Sequence, residues 1–109
     1  MTASPLPPTA VVRVSRGNFD PARFTEVHEM TVATGRYLIP AIKKLPGLIN
    51  FFTGVSPDGS VVQISVWESD EHARQMDRLK EMIVDARGEA EKAGMTFIPI
   101  VNYPIEWAI

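Results

Sequence analysis

The chain of 109 residues carries 11 Lys and Arg against 13 Asp and Glu, for a formal charge of -2, and 45% of it is hydrophobic. That is the composition of a single globular domain, with no basic stripe for nucleic acid and no apolar run near the ~18 residues that a membrane helix requires. The absence of cysteine excludes disulfides, thiolate chemistry and cysteine zinc sites.

Residues 1–10 contain Pro5, Pro7 and Pro8 but neither a charged leader nor an apolar core. They read as a disordered Pro-rich leader ahead of one domain over 11–109, with no signal peptide, and the expected location is cytoplasmic. Val12 and Val14 alternate with Arg13 and Ser15, the period of a strand over 11–15, which Gly17 and Asn18 should end. Asp20 has the chemistry of an N-cap with Pro21 at the first helical position, and Phe24, Val27, Thr31, Thr34, Leu38 and Ala41 recur at helical spacing. Pro40 lacks a backbone donor and crowds the turn before it, so a kink or break is expected there, ahead of Pro46 and Gly47. Ile49 to Val55 and Ser60 to Trp67 read as strands joined by the turn Ser56-Pro57-Asp58-Gly59, an antiparallel hairpin. Ser69 caps a second helix that carries Asp70 and Glu71 in its first turn. Its apolar stripe is Ala73, Met76, Leu79, Ile83, Ala86 and Ala90, and Gly94 ends it. A last strand covers Met95 to Tyr103, and the tail still carries Ile105, Trp107 and Ile109.

The order β-α-β-β-α-β, with right-handed crossovers and a central hairpin, defines an α+β, ferredoxin-like antiparallel sheet with its first and third strands in the middle. Pro99 supports an edge position for the last strand, because proline cannot donate to a ladder. Two helices cover one face only. One face of the central strands presents Val12, Val14, Val62, Ile64 and Val66; the other presents Arg13, Ser15, Val61, Gln63, Ser65 and Trp67. Burying an apolar face of ~500 Å² at about 25 cal/mol per Å² releases roughly 12 kcal/mol per subunit, against an association cost of about 4 to 15 kcal/mol. A homodimer through the sheet faces is therefore expected, with the Trp107 tail packing on the partner.

Leu45-Pro46-Gly47 before a Phe-rich strand, the turn Ser56 to Gly59, and Val66-Trp67-Glu68-Ser69-Asp70-Glu71 entering a helix resemble the antibiotic biosynthesis monooxygenase family of dimeric α+β barrels, over residues 11–103. The resemblance implies two facing sheets with helices outside and a small-molecule pocket between sheet and helices in each protomer. It implies activities such as cofactor-free oxygenation of aromatic polyketides or haem degradation. It also implies that Trp67 packs against a flat substrate; the reading from residues alone keeps a second option, a plug that locks the second helix to the sheet. The pocket asparagine found on the first strand of haem-degrading and some oxygenating relatives has no counterpart, because Arg13 and Ser15 occupy that strand. The register of their iron-binding histidine falls on Met76 and Asp77, which disfavours haem chemistry.

Arg13, Gln63, Ser65 and Trp67 make their face too polar for plain core, so it is the expected pocket face. Arg13, a cation on a central strand, needs either a cavity or a helix carboxylate such as Glu26 or Glu29. His28, one turn after Phe24, is the candidate base for a phenol or enol if it points inward, and a surface histidine otherwise. Tyr37, Asn50, Gln63 and Ser65 are candidate hydrogen-bonding partners of a substrate carbonyl. No metal site is expected. Two functions follow: a cofactor-independent monooxygenase of a small planar phenolic or quinone-like compound, with Trp67, Arg13 and His28 catalytic, or a non-catalytic small-ligand-binding or structural dimer of the same fold.

Overall fold

The computed structural model describes residues 6–109. Four antiparallel strands, β1 (Val11–Asn18), β2 (Leu48–Ser56), β3 (Ser60–Trp67) and β4 (Thr96–Pro104), form one sheet in the order β2-β3-β1-β4. The middle and edge strands are those expected, and the helices between β1 and β2 and between β3 and β4 complete a ferredoxin-like α+β fold. No described helix is long and apolar enough to cross a membrane.

β1 runs further than the alternation of its valines implied. It continues through Gly17, where an added Cβ would stand 2.9 Å from the Thr96 carbonyl oxygen, so glycine here admits the close approach of β4 instead of ending the strand. The β1–β4 register shifts between Val14 and Arg16, leaving Ser15 opposite Pro99 and Ile100. Pro99 thus sits in an edge strand and at a bulge, the two places where its missing donor costs least.

Asp20 accepts a hydrogen bond from the Ala22 amide at 3.0 Å and opens a 3₁₀ turn, Pro21–Arg23, that leads into α1 (Phe24–Lys43). α1 runs without interruption through Pro40, so of the expected kink or break, the break does not occur. Pro40 is solvent-exposed, so water can satisfy the carbonyl that loses its partner, while Leu38 and Ile42 hold the turns on either side against the core. Ser69 caps α2 (Asp70–Ala73), its Oγ accepting from the His72 amide at 3.2 Å. Gly47, at φ 83°, lies so close to His72 that an added Cβ would clash with its ring; this contact fastens the α1–β2 loop to the start of α2.

The second helix is not the single rod that its apolar stripe implied. A 3₁₀ turn over Arg74–Arg78 follows α2, Leu79 takes an extended ψ of 108°, and a π-helical segment over Glu81–Ala86 precedes α3 (Arg87–Lys92). The apolar run Met82-Ile83-Val84 is too broad for one α stripe. The break directs Leu79 to the core, and the wider turns place Met82 and Ile83 above the sheet.

Two clusters form the core. Val11, Leu38, Ile42, Trp67, Ala73, Met76 and Ala86 gather at one end of the sheet, and Phe19, Val27 and Ala93 at the other. Of the leader, residues 1–5 lie outside the described residues. Residues 6–10 are placed against the domain: Ala10 is buried, its amide donates to the Pro7 carbonyl at 3.0 Å, and the Thr9 hydroxyl donates to the Glu68 carbonyl at 2.6 Å.

Candidate functional site

Between the two core clusters a cavity of about 240 Å³ separates the sheet from the helices. Its floor is the inward face of the strands, where Arg13, Ser15, Thr53, Gln63, Val61, Phe97 and Ile100 point the same way because side chains alternate along each strand. Its roof comes from α1 (Met30, Thr34, Leu38), the irregular segment (Met76, Asp77, Met82, Ile83) and α3 (Arg87, Ala90), with Met95 closing one end. The floor carries polar groups among apolar neighbours, whereas the roof is largely thioether and aliphatic carbon. An apolar enclosure with a few placed polar groups is the general form of a small-molecule site.

Arg13 is the centre of its polar network. It is 6% exposed, donates to Asp77 Oδ1 at 2.6 Å, and donates to Asn102 Oδ1 at 3.2 Å. Asn102 donates in turn to Asp70 Oδ1 at 3.0 Å, and Asp70 pairs with Arg74 at 2.6 Å. Both options for Arg13 are realised together: it lines the cavity and it has a helix carboxylate. That carboxylate is Asp77, not Glu26 or Glu29; Glu26 is taken by Arg23 at 2.8 Å. The Asp77 side chain is 56% exposed against 7% for Arg13, so the pair links the buried floor to solvent.

Of the other expected site residues, Gln63 alone lines the cavity. Trp67 shares the inward face but is sealed at 0% exposure among Val11, Leu38, Ile42 and Met76, one step beyond the cavity, and its Nε1 donates to Ser65 Oγ at 2.8 Å. It packs in the core cluster and is not among the residues that line the cavity. Ser65, 2% exposed, is occupied by that bond. Asn50 pairs with Val66 and is exposed on the opposite face, because the register shift between Leu48 and Asn50 turns it away from the helices. His28 is exposed on α1 and stacks on Phe24 with centroids 6.0 Å apart; Val27 takes the inward position, so His28 has no path to the cavity. Tyr37 packs against the first core cluster and lines a separate groove between α1 and the segment that carries Asp85 and Glu89. Its buried hydroxyl has no hydrogen-bond partner among the described residues, and burial, reinforced by those two carboxylates, raises its pKa above the usual phenol value.

Residues that the sequence reading did not select are Asp77, Arg87 and the methionines. Arg87 sits on the cavity wall with its guanidinium carbon 4.6 Å from the centroid of the Phe97 ring, a cation–π contact. It stands in the charge run from Asp85 to Lys92, which reads as a solvated helix face. Its side chain is 52% exposed and also pairs with Glu91 at 3.8 Å, so it keeps one side in solvent while its guanidinium reaches the cavity wall over Phe97. Among the described residues no group of His, Cys, Asp and Glu is arranged to hold a metal ion.

The fold and cavity define a ferredoxin-like α+β domain with a small-molecule-sized chamber between sheet and helices. Solved structures of this class that the chain resembles include a candidate antibiotic biosynthesis monooxygenase from Deinococcus radiodurans (TM-score 0.69, 13% identity, covering 91% of this chain and 95% of that one). A monooxygenase from the gene ActVA-Orf6 of Streptomyces coelicolor, solved with Nanaomycin D, matches with a TM-score of 0.60 at 20% identity, covering 93% and 91%. A dimeric ferredoxin-like protein from an uncultured marine organism matches with a TM-score of 0.68 at 10% identity, covering 92% and 98%. The shared property at these identities is the fold, that of the antibiotic biosynthesis monooxygenase-like structures. No protein-family model and no curated protein matches the chain.

Proposed function

We propose that the cavity binds a small planar phenolic or quinone-like aromatic compound and that the chain is a cofactor-independent monooxygenase of that ligand, working as a homodimer through its open sheet face. The observation that carries this reading is the cavity itself, about 240 Å³ of largely apolar space with the buried cation Arg13 on its floor and Arg87 on its wall. Both cations stabilise an oxyanion on a bound phenol or enol, and Gln63 and Ser15 offer hydrogen bonds to a carbonyl. The anion passes an electron to oxygen and the two radicals combine at carbon. Loss of water then converts a CH₂ to a carbonyl, with one oxygen atom of O₂ in the product and the other in water. Asp77, the one carboxylate among the lining residues, takes the proton-accepting place that His28 cannot occupy.

A binding-only role is the second reading, favoured by the absence of histidine from the cavity wall. Oxygen uptake with anthrone separates the two. Turnover that falls roughly a hundredfold in Arg13→Met, the order expected on losing one oxyanion donor, supports the enzyme. Saturable anthrone binding with no oxygen consumption leaves the binding role.

The dimer rests on the open face, where Phe52 is 61%, Tyr103 47% and Val101 41% exposed beside Val14, Ile64 and Val66. Exposed aromatic and aliphatic side chains in one contiguous field are the mark of an interface. Two structures that the chain resembles are described as dimeric ferredoxin-like proteins. In sedimentation velocity the wild type should run as a dimer at micromolar concentration. Ile64→Lys, at the centre of the face, should raise the dissociation constant by roughly a hundredfold or more, since it desolvates an unpaired charge. A monomeric wild type would refute the facing-sheet arrangement.

A further inference from the structure

We propose that Met30, Met76, Met82 and Met95 determine which ligand the cavity accepts, acting as an adjustable thioether roof that grips flat, polarisable rings. The inference rests on the cavity being the ligand site. The chain has 5 methionines in all, and these four converge on one chamber from separate elements: α1, the 3₁₀ turn, the π-helical segment and the turn into β4. Aromatic surface is scarce there. Trp67 is sealed in the core, and Phe97, the one aromatic side chain among the lining residues, already carries Arg87 over its ring at 4.6 Å. Sulfur is therefore the polarisable surface left to meet a ring. Thioethers favour aromatic contacts, and an unbranched side chain with several rotatable bonds fits more than one outline.

The part of the roof that holds Met76 and Met82 is also the least regular backbone over the sheet. Leu79 is extended, and its carbonyl accepts from both the Met82 and Ile83 amides at 2.9 Å. A break flanked by 3₁₀ and π turns lets the two halves of the roof shift relative to each other without unravelling a continuous α ladder. The floor, by contrast, is held by strand pairing on both sides of β1. The arrangement sets a fixed polar floor, which orients the ligand's oxygens, against an adaptable apolar roof, which selects its ring system.

The test compares 1-naphthol with its saturated counterpart decahydro-1-naphthol, which keeps the hydroxyl and loses the π face. Binding is measured by calorimetry on the full chain, wild type and Met30→Leu/Met82→Leu/Met95→Leu. Leucine keeps the volume and removes the sulfur, and Met76, 3% exposed and part of the core, is left intact. Each thioether lost should weaken naphthol binding by roughly two- to tenfold, with little change for the saturated alcohol. Methyl-labelled methionine in the wild type supplies a readout that needs no variant: naphthol should shift the Met30, Met82 and Met95 methyl resonances upfield through its ring current. Equal weakening of both alcohols, an unchanged ratio, or methyl resonances that do not move would reduce the methionines to filling and overturn the roof alone. A wild type that binds neither alcohol overturns the cavity assignment and the roof with it.

Discussion

Trp67→Ala is expected to destabilise the domain by about 3–5 kcal/mol, the cost of deleting a fully buried indole and leaving a void behind. For a domain whose total stability is about 5–15 kcal/mol this is enough to leave a large unfolded fraction at physiological temperature. The loss has two parts. The indole is 0% exposed within the cluster of Val11, Leu38, Ile42, Ala73 and Met76, so transfer and cavity terms both apply. Its Nε1 also satisfies Ser65 Oγ at 2.8 Å, and Ser65 is itself buried. The informative companion is Trp67→Phe, which keeps most of the burial. As a plug, Trp67 predicts that this variant unfolds at lower urea concentration yet binds 1-naphthol as the wild type does. A well-folded Trp67→Phe protein with lost ligand affinity would return the indole to the cavity wall.

The second large effect is an asymmetry within the Arg13–Asp77 pair. Asp77→Ala should cost about 2–4 kcal/mol although Asp77 is a half-exposed residue, because it leaves the guanidinium of Arg13, 7% exposed, with Asn102 as its remaining side-chain acceptor among the described residues. Arg13→Met should cost less, since the released carboxylate is 56% exposed and rehydrates while a thioether fills the space. The double variant should be less destabilised than the sum of the two, with a coupling of about 1–3 kcal/mol. Urea unfolding of the four proteins, with m-values compared to guard the two-state assumption, measures the cycle. If Arg13→Met proves the costlier change, water in the cavity solvates Arg13 and the pair is not its main support.

Much of the scaffold was legible in residue order. The hairpin around Ser56 to Gly59, the Asp20 and Ser69 caps, the stop at Gly94 and the edge position of Pro99 all depend on backbone rules acting over a few residues, and each holds in the structure. The choice of pocket face was legible too, since the alternation of Arg13, Ser15, Gln63 and Ser65 shows which side of the sheet must meet polar company. The site was not. His28 and Val27 are adjacent, and which of them turns inward depends on the angle at which α1 lies on the sheet. Asn50 was misplaced by a register shift that pairing with β3 creates. The second helix read as continuous because its apolar stripe is regular up to Met82-Ile83-Val84, where breadth, not period, decides the turn type.

Local periodicity, capping chemistry and the parity of each strand are properties of the amino-acid sequence alone, because their energies are settled between near neighbours. They determined the order of elements, the ferredoxin-like topology and the two faces of the sheet. The partner of Arg13 stands 64 residues away, and Trp67 is buried because α1 and the turn at Met76 close over it. Four methionines meet above the floor only through the break at Leu79 and the strand pairing that sets β4 beside β1. Those contacts join segments far apart in the chain. Their geometry exists only when the whole sheet and its helices are assembled, and it is there that the cavity, its cation and its roof were decided.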